Sequence, residues 1–164
     1  MLHNQGRIPR PCDMVLGKIA LTIRAHRPDL SLFSRAVLEA SLLTGGSIGT
    51  AQQVAPSLGL RNRFELARLL KREGLPPLHE LAGWASVLAW IDRAECTGCS
   101  LCHLAFRERK DPATCYRTVK RITGLRWHEL RLRGSEWVVK RFVGHCDPLG
   151  HDARFDKPSP GTRA

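Results

Sequence analysis

The chain has 164 residues, 26 of them Lys or Arg against 15 Asp or Glu, for a formal charge of +11 at pH 7 and an isoelectric point near 10.2. That length suits one domain or two small ones, 43% hydrophobic residues suffice for a core, and the cationic excess favours a polyanionic partner, nucleic acid ahead of an anionic membrane surface. No stretch approaches the ~20 apolar residues that cross a bilayer and no secretion signal is visible, so no membrane association is expected, the expected location is the cytoplasm, and the six cysteines are expected to be mostly reduced.

Residues 1–13 (MLHNQGRIPRPCD) hold two prolines and little apolar content, and 1–29 reads as a loose N-terminal segment. Within it, Val15, Leu16, Ile19, Ala20 and Ile23 have helical spacing. Pro28-Asp29 interrupts, and a second helical stretch resumes over Leu30–Leu43, with Leu30, Phe33, Val37 and Leu38 apolar. Thr44-Gly-Gly-Ser-Ile-Gly-Thr50 is a turn cluster. From Thr50 to about Phe142 every segment reads helical, broken at Gly59, Gly74–Pro77, Thr97-Gly98, Lys110–Pro112 and Gly124, and none shows strand alternation.

One helix stands apart. Over Pro77–Glu95, Leu78, Leu81, Ala85 and Leu88 share one face, Trp84, Val87 and Ile91 another, and Trp90 lies between. A helix apolar over most of its circumference is buried on several sides, so Leu78–Ala94 is expected to be one continuous connector with Trp84 and Trp90 both buried. The stretch from 144 to 164 is polar and proline-rich and reads as a disordered tail.

The connector is flanked by similar segments. Val54–Pro77 (VAPSLGLRNRFELARLLKREGLPP) and Leu104–Trp127 (LAFRERKDPATCYRTVKRITGLRW) each give a short helix, a tight turn, a longer basic helix, then Gly and an apolar residue. Arg68 is followed three residues later by Lys71, and Arg117 three residues later by Lys120. This is an internal duplication of helix–turn–helix units. In the first longer helix Leu66, Leu69 and Leu70 form a core side opposite a polar stripe of Arg61, Glu65, Arg68 and Arg72. In the second, Cys115, Val119 and Ile122 form the core side opposite Thr114, Arg117 and Arg121.

With both units and the connector in this order, Thr50–Phe142 resembles the AraC/XylS-type DNA-binding domain. The second unit, Asp111-Pro112-Ala113-Thr114-Cys115-Tyr116-Arg117-Thr118-Val119-Lys120 with Thr123-Gly124, is similar to the family pattern D-P-x-x-F-x-R-x-F-K…G. The first matches through Val54-Ala55, Gly59, Leu66, Arg68, Leu70-Lys71 and Gly74-Leu-Pro76. The departures are Pro56 inside the first helix of unit one, Arg109 near the family's turn glycine in a turn about one residue shorter, and Cys115 and Val119 at the family's aromatic positions. The resemblance implies an all-α protein with two helix–turn–helix subdomains, 30–77 and 96–143, joined by a connector at 78–95, without the effector-binding domain that many members carry.

It also implies a sequence-specific transcription regulator whose partner is double-stranded DNA, with RNA polymerase as a further candidate partner. On that architecture Phe64, Ala67, Arg68, Ala113, Tyr116 and Arg117 are candidates for base edges, where arginine pairs well with guanine. Arg61, Arg63, Lys71, Arg109, Lys110, Lys120 and Arg121 are candidates for phosphates. No paired carboxylates, no Ser/His/Asp order and no phosphate loop point to a reaction, so no enzymatic activity is expected.

The stretch ECTGCSLCHL at 95–104 offers an alternative. Cys96, Cys99 and Cys102, completed by His103 or by His145 and Cys146, have ligand-like spacing for zinc or an iron–sulfur cluster, and Cys99-Ser-Leu-Cys102-His103 matches covalent haem attachment. A metal- or redox-responsive DNA-binding module follows from that reading. The helix start that the architecture needs here, with Ser100 as its cap, accounts for the same residues with no ligand. No cofactor is therefore expected.

Overall fold

The computed structural model describes residues 11–147, which form eight α-helices and no strand among the described residues. The helices are α1 (Pro11–His26), α2 (Leu32–Leu43), α3 (Ala51–Ser57), α4 (Arg63–Arg72), α5 (Leu78–Thr97), α6 (Leu101–Arg107), α7 (Pro112–Thr123) and α8 (Trp127–His145). The all-α expectation holds.

The apolar circumference of α5 decides the architecture. It packs against α1, α2, α7 and α8, and more lightly against α6. Trp84 and Trp90 are only 4% and 3% exposed, as a helix covered on several sides requires. The helix runs unbroken from Leu78 past Ala94 to Thr97 and stops at Gly98, whose φ of 72° gives the left-handed C-cap that glycine adopts without a Cβ clash. Cys96 thus belongs to the connector. The 44–50 turn cluster lies so close to α5 that a Cβ on Gly46 would sit 2.2 Å from the Ala82 carbonyl oxygen.

Two expectations are corrected. Residues 1–29 are not a loose segment over their described part. Pro11 opens α1 at the position where proline's missing N–H costs nothing, and Leu16, Ile19, Ala20 and Ile23 enter the common core. The tail does not begin at 144: α8 continues to His145 and Cys146 is 1% exposed. Residues 1–10 and 148–164 lie outside the described residues, and so does the rest of the expected tail. The inward face of α2 is built by Ser34, Val37, Leu38, Ser41 and Leu42, and Phe33 is 49% exposed.

Three polar side chains join helices distant in sequence. Arg27, 5% exposed, donates to the carbonyls of Glu73 (2.6 Å) and Cys146, the C-terminal ends of α4 and α8, and makes two bonds to Asp29 (2.9 and 2.8 Å). Glu73 in turn accepts from the N–H of Ser31 (3.0 Å), the cap residue of α2. Glu95 near the end of α5 accepts from both the N–H (2.7 Å) and the hydroxyl (2.6 Å) of Ser135. That last pair caps the second half of α8, which restarts after a break at Gly134 (φ 80°, ψ 170°).

Candidate nucleic-acid interface

Helices α4 and α7, which expose several basic side chains, each follow a shorter helix through a tight turn, and both turns use one hydrogen-bonding scheme. In the first, the Ala55 carbonyl accepts from the N–H groups of Leu58 (3.1 Å) and Leu60 (3.0 Å), and the Pro56 carbonyl from Gly59 (2.9 Å). In the second, the Ala105 carbonyl accepts from Glu108 (3.1 Å) and Lys110 (2.9 Å), and the Phe106 carbonyl from Arg109 (3.1 Å). Ala55 and Ala105 are both fully buried. The left-handed residue of the first turn is Gly59 (φ 72°) and that of the second is Arg109 (φ 56°), the sole non-glycine residue with positive φ among the described residues. Arginine pays about 1–2 kcal/mol of Cβ strain there.

The turns then diverge by one residue. Asn62 caps α4, its Oδ1 accepting from the N–H groups of Phe64 and Glu65 (both 3.0 Å). Asp111 caps α7, its Oδ2 accepting from the Thr114 N–H (2.9 Å) and hydroxyl (2.7 Å). Those Thr114 bonds hold the Asp111 carboxyl below its ordinary value. Counted from the caps, Leu66 and Leu70 in α4 take the places of Cys115 and Val119 in α7, and all four are buried. The two shorter helices both start at a hydroxyl residue, through different bonds. The Thr50 N–H donates to Gln53 (2.9 Å), and the Ser100 hydroxyl accepts from the His103 N–H (3.2 Å), so Ser100 caps α6 as expected.

The same count brings the base-edge candidates into matching places. Phe64 pairs with Ala113, Ala67 with Tyr116 and Arg68 with Arg117, and all six are exposed. The Arg117 guanidinium is steadied over its own helix by the Thr114 hydroxyl (3.0 Å) and, more loosely, by Asp111 (3.8 Å). Of the phosphate candidates, Arg61, Arg63, Lys71, Arg109, Lys120 and Arg121 are exposed. The Arg63 guanidinium lies 4.8 Å from the Phe64 ring centroid. Lys110 differs: half-buried, it donates to Glu108 (2.9 Å) and lies 5.3 Å from the Trp90 ring centroid. A phosphate would have to compete with Glu108 for it.

Sequence reasoning missed the residues that hold these helices in place. The Glu65 carboxylate, read only as part of a polar stripe, accepts from the Arg61 N–H (2.7 Å) and so fixes the entry to α4. The C-terminal end of α4 is held by Arg27 and, through Glu73, by Ser31. In α7 the close approach is to α5 at Gly83, where a Cβ would lie 2.6 Å from Ile122 Cδ1. Glu108 pins the second turn to the connector, accepting from Trp90 Nε1 (3.1 Å), Arg93 (2.5 Å) and Lys110 (2.9 Å). Burial pushes the Glu108 carboxyl up, but the bonds from Lys110 and Trp90 and the charges of Lys110 and Arg93 together hold it below its ordinary value.

A carboxyl whose folded value is depressed stabilises the protein above its unfolded value, and that contribution is lost as pH falls through the folded value. Glu108→Gln is therefore expected to cost about 1–2 kcal/mol near neutral pH and to flatten the fall in stability below about pH 4.5. Urea melts of both proteins across pH 3–7 read this directly; parallel curves that fall equally with acid rule the role out.

The cysteines sort by burial. Cys96 is exposed, Cys99 and Cys102 are intermediate, and Cys115 and Cys146 are each 1% exposed in the core. Cys96 lies in the last turn of α5, Cys99 just before the α6 cap and Cys102 within α6. Among the described residues no group of three or more His, Cys, Asp or Glu side chains is placed to hold a metal ion. Burial pushes the Cys115 thiol up, and it pushes Cys146 up to about 12 against the opposing charge of Arg27. Since the thiolate is the nucleophile, iodoacetamide at pH 8 is expected to modify Cys96 before Cys99 and Cys102 and to reach Cys115 and Cys146 only after denaturation. Peptide mass mapping over time checks the order, and early modification of Cys146 contradicts it.

No helix among the described residues is long and apolar enough to cross a membrane. No protein-family model, curated protein or solved structure matches the chain.

Proposed function

We propose that the chain is a sequence-specific DNA-binding transcription regulator of the AraC/XylS type. In this reading α3–α4 and α6–α7 are two helix–turn–helix units, and α4 and α7 enter successive major grooves of one duplex. The observation that carries it is the duplicated placement of an exposed arginine: Arg68 and Arg117 stand at the same step after the caps of two helices that emerge from equivalently bonded turns. A solvated surface has no need of such a repeat. The strained, exposed Arg109 at the second turn fits the same reading, because strain kept at a surface position marks a site where the side chain is used.

Phosphates would be met by Arg61, Arg63, Lys71, Arg109, Lys120 and Arg121, with Lys110 released from Glu108 to join them. The protein then acts by binding, in the cytoplasm at the nucleoid, with RNA polymerase as its further partner and neither a cofactor nor a catalysed reaction. Selection of bound sequences from a random DNA library by the purified protein tests the proposal. An enriched asymmetric motif spanning two major grooves supports it, and a pool with no enriched motif sinks it.

A further inference from the structure

A recess of about 270 Å³ lies over α5, lined by Thr44, Gly45 and Ser47 of the turn after α2 and by Arg93, Glu108 and Lys110 on the other side. Its walls are fixed. The Ser86 hydroxyl of α5 donates to the Gly45 carbonyl (3.1 Å), and Gly46 packs so closely on α5 that no Cβ fits. Opposite, the Glu108 carboxylate accepts from Arg93 (2.5 Å), Lys110 (2.9 Å) and Trp90 Nε1 (3.1 Å). Three donors thus converge on one carboxylate, the arrangement that recognises an oxyanion. Two of them are cations, so the corner keeps one positive charge in excess. The cations also present more surface than the carboxylate between them: the side chains of Arg93 and Lys110 are 40% and 35% exposed, that of Glu108 20%. Glu108 takes a single bond from each cation, and neither side chain makes another hydrogen bond among the described residues. A guanidinium and an ammonium both carry further donors.

We infer that this recess binds a small free oxyanion, a carboxylate or phosphate ion, which joins Glu108 there rather than replacing it. The remaining donors of Arg93 and Lys110 hold the anion from one side, and the exposed Ser47 hydroxyl faces it from the other. The excess positive charge selects the sign of the ligand. The volume selects its size, since sites for drug-sized molecules begin at roughly 300 Å³ and this one falls just short. Glu108 has two opposed effects on the anion. It keeps Arg93 and Lys110 together, and its like charge repels the ligand, so affinity is lower than the two cations alone would give. A bound anion links the turn after α2 to the turn before α7 across the connector.

The inference stands apart from the DNA-binding reading. Trp90 reports on the site, because its Nε1 bonds Glu108 and Lys110 Nζ lies 5.3 Å from its ring centroid. In proton–nitrogen correlation spectra of the full chain, the Trp90 indole N–H resonance should shift saturably as inorganic phosphate is added, and should not shift with chloride at equal ionic strength. Two substitutions that break the same Arg93–Glu108 pair should then act in opposite directions. Arg93→Gln removes charged donors and should weaken phosphate binding roughly tenfold or more. Glu108→Gln removes the opposing charge and should tighten it roughly tenfold. A pair that only braces the turn against the connector predicts loss in both. A shift that chloride reproduces, or weaker phosphate binding in both variants, overturns the inference. So does a resonance that responds to a DNA duplex and not to phosphate, because the donors then serve a nucleic-acid backbone.

Discussion

Arg27→Met is expected to lower the stability of the protein by about 4 kcal/mol, because it removes the donors of two helix ends at once. The Arg27 guanidinium bonds the carbonyls of Glu73 and Cys146, which are the unsatisfied acceptors at the C-terminal ends of α4 and α8. A buried acceptor left without a donor costs about 1–3 kcal/mol, and there are two. The positive charge is lost from two helix C-termini as well, where the macrodipole favours it. Methionine fills much of the arginine stem's volume, so little of the loss comes from a cavity. The Asp29 pair contributes less, since its carboxylate is 59% exposed. Equilibrium urea unfolding measures the effect, and a loss under about 1 kcal/mol would mean that water takes over the two carbonyls. Arg27→Lys separates charge from geometry: a point charge with one short reach cannot serve both carbonyls and Asp29, so it should recover only part of the loss.

The features read correctly from the sequence are those that a local pattern encodes. The connector was legible because apolar residues surround it, and that periodicity does not depend on what covers it. The likeness of the two turns was legible because similar residue types recur in the same order; the single-residue difference between Leu60-Arg61-Asn62 and Lys110-Asp111 shows only in the structure. The misread features depend on partners far along the chain. The helical spacing of Val15–Ile23 was legible, but the start of α1 at Pro11 and its burial against α2 and α5 were not. Nothing local marks Arg27 as buried: it follows a helix and precedes Pro28, and its acceptors belong to α4 and α8. Glu95 and Glu108 look like surface carboxylates until the chain folds back to present Ser135 and Trp90. Gly134 reads as a tolerated mid-helix glycine, and only its φ of 80° shows the break. The exposure of Arg68, Arg117 and their neighbours was the easier part, because a stripe at helical spacing is a local pattern, whereas the braces behind it are not.

Arg68→Ala and Arg117→Ala are each expected to weaken binding to a selected site by roughly 1–3 kcal/mol and to relax preference at one base pair. Each arginine is exposed on the outward face of its helix, as a side chain must be to reach a base edge in the major groove. Lys71→Ala and Lys120→Ala should instead weaken all sequences alike and reduce the salt dependence by about one unit of slope, since a phosphate contact releases counterions and reads no base. The two sites on the protein should lie about one helical turn, ~34 Å, apart on one face of the duplex, so that one chain covers an asymmetric site. The two arginines should not behave identically. Arg117 must give up its bonds to Thr114 and Asp111 to reach a base, so Asp111→Asn, which keeps an acceptor for the helix cap but removes the charge that holds Arg117, should affect binding through unit two alone. Ordinary surface charges predict a different pattern, with small and nearly equal losses for all four alanine variants. Binding isotherms on a selected and a scrambled site at two salt concentrations separate the two. If Arg68→Ala and Arg117→Ala keep full discrimination between the sites, neither arginine reads a base, even where the protein still binds DNA.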